Sequence, residues 1–269
     1  MDISAFWGVT LAVGAVTGVC AGLLGVGGGL LYVPALLFLL PKQGVADAIV
    51  MHVAVASSLA AIVVTSLSSL IGHARQHGVE WGYVRWLTIG IVPGALLGAI
   101  SAGYIDGWIL RMIYGGFAVL VGLKMVVGWT PTASKTRPVP AMMSVVGSGI
   151  GMLSAWLGIG GGTLTTPYLV WRSTAIRQAI GTSAACGFPI ALVAALSYGL
   201  LNPETIPGGA RVDGLTGLLY WPAIIPLMLG SMVGAGYGAR LAHRVSVERL
   251  RRGFSILLIV LGIAVWLKL

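Results

Sequence analysis

Long apolar runs separated by short connections restrict what this chain can fold into. The runs occupy roughly residues 5–24, 29–41, 48–72, 85–105, 109–128, 141–157, 163–171, 178–201, 217–241 and 251–268. Only 9% of the residues are charged, against about 25% in a soluble domain. Because so few charges cannot cover a water-facing surface, we predict an all-α polytopic protein of the cell (inner) membrane, with the lipid bilayer as its surroundings.

Two glycine clusters interrupt these runs where a continuous helix would be expected. Gly25-Val26-Gly27-Gly28-Gly29 is followed by Pro34, and Gly158-Ile159-Gly160-Gly161-Gly162 is followed by Pro167 at the same spacing. Each glycine costs a helix about 1 kcal/mol relative to alanine. The run after each cluster is also shorter than the roughly 20 residues that a spanning helix needs. We therefore predict a Gly-broken or re-entrant helix pair at each cluster.

The clusters belong to a duplicated unit. The spacing Gly-x6-Gly-x-Gly-Gly-Gly-x4-Pro begins at Gly18 and again at Gly151, and the pair Ser57-Ser58 corresponds to Thr182-Ser183. A repeat of this length is a duplicated transmembrane unit, since solenoid repeats are far shorter. The predicted division is a first transmembrane repeat, a cytoplasmic linker and a second transmembrane repeat, at residues 1–129, 130–140 and 141–269.

The charges predict that the two repeats are inverted. The loop after the third run is basic in the first half, with Arg75 and Arg85, but carries Glu204 and Asp213 in the second. After the fourth run the bias reverses, and the second half holds a basic group: Arg240, Arg244, Arg249, Arg251 and Arg252. Cytoplasmic loops are enriched in Lys and Arg, so equivalent loops face opposite sides. The net charge of +9 thus fits the positive-inside rule and not a nucleic-acid partner.

The glycine clusters are candidate anion sites. A helix amino-terminus presents unsatisfied N–H groups and about half a positive charge, and paired helix breaks point to a transporter's binding site. The candidate substrate-binding residues are the glycines of both clusters and nearby hydroxyl residues: Gly27, Gly28, Gly29, Gly160, Gly161, Gly162, Ser57, Ser58, Thr163, Thr182 and Ser183. Thr165 and Thr166 are similar candidates, but Leu30, Leu31 and Val33 stand in the first short run, so any hydroxyl pocket is asymmetric.

Simpler structural roles compete with these assignments. The hydroxyls could bond to the carbonyl four residues earlier in their own helices, and glycines permit close helix packing. For the spaced pairs Gly94/Gly98 and Gly230/Gly234 we predict packing. His52 lies near a helix start beside a candidate site, and histidine is the side chain that exchanges a proton near neutral pH. It is therefore the candidate for proton coupling, with a capping role as the alternative.

The same residues resemble a known family. The stretch from Gly22 to Gly29 with Pro34, its second copy through Pro167, and the two hydroxyl pairs are similar to the TauE/SafE sulfite exporter family, also called the toluene-sulfonate uptake permease family. The resemblance implies a permease for small sulfur-containing anions such as sulfite, sulfoacetate, sulfonates or thiosulfate. Ser57 departs from it, because the family often has Thr there. The anion, the direction and the coupling ion stay open, as does a homo-oligomer.

Other function classes fit less well. A passive anion channel, or a permease for another small organic anion, is the alternative to a secondary transporter. GxSxG is absent, and no strand precedes the glycine cluster as a nucleotide-binding fingerprint requires. Cys20 and Cys186 lie in different apolar runs and form no CxxC. We therefore predict no enzyme activity, no catalytic residue, no metal site and no cofactor.

Overall fold

The structure is a computed structural model that describes residues 2–24, 28–127, 139–241 and 247–267. Gly27 of the predicted site, residues 130–138 of the predicted linker and Arg244 of the basic group lie outside the described residues. The division of the chain at residues 130–140 therefore stays a prediction.

The described chain is almost entirely helical. Its α-helices, with their bounds, are α1 (Ile3–Leu24), α2 (Gly29–Leu39), α3 (Val50–Arg75), α4 (Trp81–Ala102), α5 (Gly107–Val127), α6 (Pro140–Leu157), α7 (Gly162–Trp171), α8 (Ile176–Leu200), α9 (Trp221–Leu241) and α10 (Val247–Leu267). Short 3-10 turns follow α2 at Leu40–Gln43 and α8 at Pro203–Thr205. The order of long and short helices in α1 to α5 repeats in α6 to α10.

Six helices in the described part of the chain are long and apolar enough to cross a membrane. These segments are Ile3–Cys20, Val50–Arg75, Trp81–Ala102, Gly107–Val127, Pro140–Leu157 and Ile176–Leu200. α3 and α8 are the most enclosed, with 72% and 61% of their apolar windows buried, against 28–39% for the other four. The chain is therefore a multi-pass membrane protein with α3 and α8 packed against each other at its centre.

The main helix contacts join the two halves of the chain. α1 packs along α9, α4 along α6, α5 along α10, and α3 along α8. Glycines permit this close contact: a Cβ at Gly94 would lie 2.7 Å from Cα of Ser148 on α6, and one at Gly98 would lie 2.7 Å from the carbonyl oxygen of Met152. Gly230 and Gly234 lie in the same way against Leu11 and Ala15 of α1. The packing role predicted for these glycine pairs is confirmed.

One connection differs from the prediction. The apolar run at residues 217–241 does not begin as a helix, because residues Leu215–Thr216 (β1) and Leu219–Tyr220 (β2) form a short antiparallel hairpin first. Gly214 and Gly217 have φ of 89° and 58°, which only glycine adopts readily, and this turns the chain before α9 begins at Trp221. Hydropathy alone could not separate this apolar hairpin from the helix that follows.

Candidate functional site

The two short helices begin at glycines without help from a side chain. α2 begins at Gly29 after Gly28, and α7 begins at Gly162 after Gly161. Neither preceding glycine can supply a side-chain hydrogen bond to the first turn, so the N–H groups there lack the usual cap. The N–H groups of Leu31 and Leu164 already donate to the carbonyls of Gly28 and Gly161. A bound anion could therefore meet only the N–H groups that precede them in each first turn.

The residues before α7 are held in a defined turn. α6 ends at Leu157, and Gly158 follows with φ of 66°, in the left-handed region that favours glycine. The N–H groups of Gly158 and Ile159 both donate to the carbonyl of Ser154. The chain thereby turns out of α6 and runs through residues 158–161, which are all buried, to the start of α7 at Gly162.

The start of α2 contacts this turn directly. A Cβ placed on Gly29 would lie 2.6 Å from the carbonyl oxygen of Gly158 and 2.8 Å from Cα of Ile159. Ile62 of α3 lies beside both elements, because its Cδ1 would lie 2.9 Å from that Cβ and its Cγ2 3.3 Å from a Cβ on Gly160. The structure therefore brings Gly29 against Gly158 and Ile159, which are far away in the sequence, while Gly160 lies on the same Ile62 side chain. We call residues 28–29 and 158–162 the two glycine segments.

The hydroxyl pairs fall into two groups. Ser58, fully buried on α3, donates from Oγ to the carbonyl of Gly158 at 2.7 Å and so holds the second glycine segment. Ser183 on α8 is also buried, but its Oγ has no hydrogen-bond partner. Thr163 at the start of α7 likewise has a buried Oγ1 without a partner.

Ser57 and Thr182 accept hydrogen bonds from backbone N–H groups that lie far away in the sequence, which a local pattern could not indicate. Ser57 Oγ accepts a hydrogen bond from the backbone N–H of Tyr220, just before α9, at 3.1 Å. Thr182 Oγ1 accepts one from the N–H of Glu80, just before α4, at 3.0 Å. Each hydroxyl thus ties one central helix to the start of a helix that packs at its side. In this arrangement their oxygens fix helix positions, and their role as substrate donors stays a prediction.

Two buried tyrosines donate hydrogen bonds to backbone carbonyls of α2 and α6, and sequence reasoning missed both. Pro34 inside α2 has no N–H, so it leaves the carbonyl of Leu30, four residues earlier, without its helical donor. Tyr114 of α5 donates to that carbonyl at 2.6 Å. Tyr198 of α8 donates to the carbonyl of Ala155 near the end of α6 at 3.0 Å. A proline in a short apolar helix and a buried tyrosine, which needs a partner, are the signals that could have suggested this pair.

We expect Tyr114→Phe to lower the free energy of unfolding by about 1–3 kcal/mol, the cost of leaving a buried carbonyl without a partner. The measurement is the thermal unfolding midpoint of the purified protein in detergent. Tyr104→Phe is the matched control, because Tyr104 is 89% exposed. Equal midpoints for the two variants would contradict the role of Tyr114.

His52 lies in the first turn of α3, and its ring contacts the end of α4. Its Nε2 lies 3.0 Å from the carbonyl oxygen of Ala102 and 2.9 Å from that of Ile105. This contact suits a protonated Nε2 that caps the last turn of α4, while Nδ1 is buried without a partner. Proton coupling through His52 stays a prediction, and the geometry supports the capping alternative.

Charged and metal-ligating groups are sparse around the glycine segments. The atoms nearest to Gly28, Gly29, Gly160 and Gly161 belong to backbone or to uncharged side chains. Within the described ranges no group of three or more His, Cys, Asp or Glu side chains is placed to hold a metal ion. What the described site offers a ligand is therefore backbone N–H groups and hydroxyls.

A protein-family model described as "Sulfite exporter TauE/SafE" matches residues 10–265 of the chain. A "Probable membrane transporter protein" of Haemophilus influenzae is 34% identical over 262 residues, which covers 96% of this chain and 97% of that protein. One of Xylella fastidiosa is also 34% identical, over 96% of this chain and 94% of its own length. A third, of Methanocaldococcus jannaschii, is 26% identical over 94% of this chain and 92% of its own length. No solved structure gives a significant match.

Proposed function

This chain belongs to the TauE/SafE sulfite exporter family, and we propose that it is a secondary permease that carries small sulfur-containing anions across the cell membrane. The family is one of membrane transporters and not a class of enzymes. The candidate substrates are sulfite, sulfoacetate, sulfonates and thiosulfate.

The observation that carries the proposal is the contact between the two glycine segments. Gly29, at the uncapped start of α2, lies against Gly158 and Ile159 in the turn that leads to the uncapped start of α7, and Ile62 lies beside both Gly29 and Gly160. An anion near this point would meet N–H groups of one or both first turns and the positive ends of the helix dipoles. Backbone outside regular helices is tolerated in a membrane where protein shields it or where it lines a polar cavity.

Alternating access requires two units that move against each other, and we propose inverted repeats as those units. The helix contacts support this, because α1 against α9 and α6 against α4 are the same contact if each helix is exchanged for its counterpart in the other half. The glycine segments lie at the interface between such units, where the substrate of an inverted-repeat transporter binds. Because cytoplasmic loops are enriched in Lys and Arg, we place the loop that contains Arg75 and the basic group Arg240–Arg252 on the cytoplasmic side.

The proposal predicts saturable, selective flux. The purified protein in proteoliposomes is expected to carry at least one of sulfite, thiosulfate and sulfoacetate, with rates that saturate as concentration rises, and to carry acetate far more slowly. Protein-free liposomes set the background. Flux that stays proportional to the gradient would instead identify a passive anion channel. Absence of flux for every sulfur anion, from protein that is folded and inserted, would overturn the proposed substrate class.

A further inference from the structure

The two glycine segments differ at one equivalent position, four residues after the glycine that precedes each short helix. In α2 this residue is Tyr32, whose ring would lie 2.9 Å from a Cβ on Gly28. In α7 it is Thr165, whose Oγ1 would lie 3.2 Å from a Cβ on Gly161. Both side chains are fully buried. The first turn of α2 is therefore covered by an aromatic ring, whose own Oη is buried without a partner, while the first turn of α7 has an aliphatic hydroxyl beside it.

Several hydroxyls at the start of α7 have no partner. Some hydroxyls in other apolar helices bond to the carbonyl four residues earlier, as Thr17 does to Val13 at 2.6 Å and Ser197 to Val193 at 2.7 Å, while Thr88 and Ser154 are single buried hydroxyls without a partner on α4 and α6. In the first turns of α7, Oγ1 of three threonines is buried without a partner, and so is Oγ of one serine on the neighbouring α8: Thr163, Thr165, Thr166 and Ser183. A buried hydroxyl without a partner costs about 1–3 kcal/mol, so a cluster of them indicates that a ligand supplies the missing acceptor.

Two of these residues, Thr165 and Ser183, lie at the junction of α7 with α8. A Cβ on Gly161 would lie 3.5 Å from the backbone N of Gly187 on α8 and 2.9 Å from Cδ1 of Ile190. Ser183 precedes Gly187 by one helical turn and so lies on the same side of α8. α7 itself contains no charged residue, and α8 contains only Arg177, in its first turn. The donors here are therefore neutral.

We propose that the substrate anion is bound on one side only, at the first turn of α7, as a singly charged oxyanion held by neutral hydroxyls, with Thr165 as the central donor. This inference rests on the proposed function and adds the charge state and the residues that select it. The cost of removing an ion from water rises steeply with its charge. A helix terminus carries only about half a positive charge, so this site can offset the dehydration of a monoanion far better than that of a dianion.

Sulfite is the probe for this inference, because it is a monoanion below its second ionisation and a dianion above it. The wild-type KM for total sulfite is expected to rise as the pH passes upward through that ionisation. Methanesulfonate is a monoanion both below and above this ionisation, and it is expected to compete with sulfite uptake at a pH on either side of it. Sulfate is expected to compete at neither pH. Thr165→Val is expected to raise the KM for sulfite at the lower pH about tenfold or more, as the loss of a hydrogen bond to a charged group should.

Two further variants separate ligand binding from a structural effect. Thr165→Ser keeps the hydroxyl and is expected to retain the wild-type KM. Thr17→Val is the matched control in the first half, because the methyl of Thr17 lies against Gly28 while its hydroxyl is already bonded to Val13. Unchanged KM in Thr165→Val, or sulfate that competes as well as methanesulfonate, would overturn the inference while leaving the transporter intact. Wild-type protein that carries neither sulfite nor any other sulfur anion would instead overturn the proposed function.

Discussion

Alanine at position 29 is expected to reduce sulfur-anion flux to the background of empty liposomes, while the protein still inserts into the membrane. The added methyl would lie 2.6 Å from the carbonyl oxygen of Gly158 and 2.8 Å from Cα of Ile159, and both of these are backbone atoms. Neither can rotate away as a side chain could, so the two glycine segments must separate. Their separation should disrupt the point at which the proposed site joins the two halves of the chain.

A graded series of alanine substitutions tests this explanation. Gly161→Ala should reduce flux less than Gly29→Ala does, because its Cβ would meet side-chain atoms of Ile190 and Thr165, at 2.9 and 3.2 Å, and not backbone atoms at that distance. Gly160→Ala should be the mildest, with only Ile62 nearby, at 3.3 Å. The order is read from initial rates in proteoliposomes, normalised to the protein that elutes as a single species. Wild-type rates for Gly29→Ala would refute the importance of this contact.

Gly149→Ala is the matched control for the series. Gly149 lies on α6, the helix that leads into the second glycine segment, and a Cβ there would meet nothing within 4 Å. The substitution removes the same glycine and adds the same methyl group without a contact. It should therefore leave both flux and thermal stability unchanged or slightly improve the latter, since alanine favours helix.

The helical architecture could be predicted from the sequence because, in a membrane, hydropathy and length alone identify spanning segments. The runs correspond closely to α1–α10, and the main displacement is at α9, where the apolar hairpin Leu215–Tyr220 precedes the helix. α2 and α7 begin at the last glycine of each cluster, while the Gly-broken or re-entrant helix pairs predicted there stay a proposal. The inversion of the repeats rests on few charges and stays a proposal.

The partners of the site residues could not be predicted, because they lie on helices far away in the sequence. Ser57 and Ser58 are adjacent, yet one bonds to Tyr220 and the other to Gly158. Only the packing of α3 against other elements decides this, and no local pattern encodes it. The same holds for Tyr114, whose role follows from the position of Pro34 on another helix. The sequence identified the candidate residue types, and the packing of the helices determines which hydrogen-bond partners these residues have.

Leucine at position 94 is expected to prevent accumulation of the folded protein. Gly94 is buried in α4, where its Cβ position already lies 2.7 Å from Cα of Ser148, so a leucine would have to displace the backbone of α6. Overpacking a core by a few methylenes costs about 1–3 kcal/mol, and forcing two helix backbones apart along their contact should cost more. The counterpart in the other half, Gly230→Leu on α9, meets the backbone of Leu11 and should behave alike.

Gly82→Leu isolates this effect, because Gly82 lies on the same helix with nothing within 4 Å of its Cβ position. Both substitutions replace glycine by a better helix former and add the same apolar side chain, so they differ only in what that side chain meets. We expect Gly82→Leu to give wild-type yield as a single species in size-exclusion chromatography, and Gly94→Leu to give aggregated or degraded protein. Similar yields and unfolding midpoints for the two would mean that α4 and α6 can separate at low cost. In that event the α4–α6 contact could slide during transport, whereas the expected result makes it a fixed joint between the two halves of the chain.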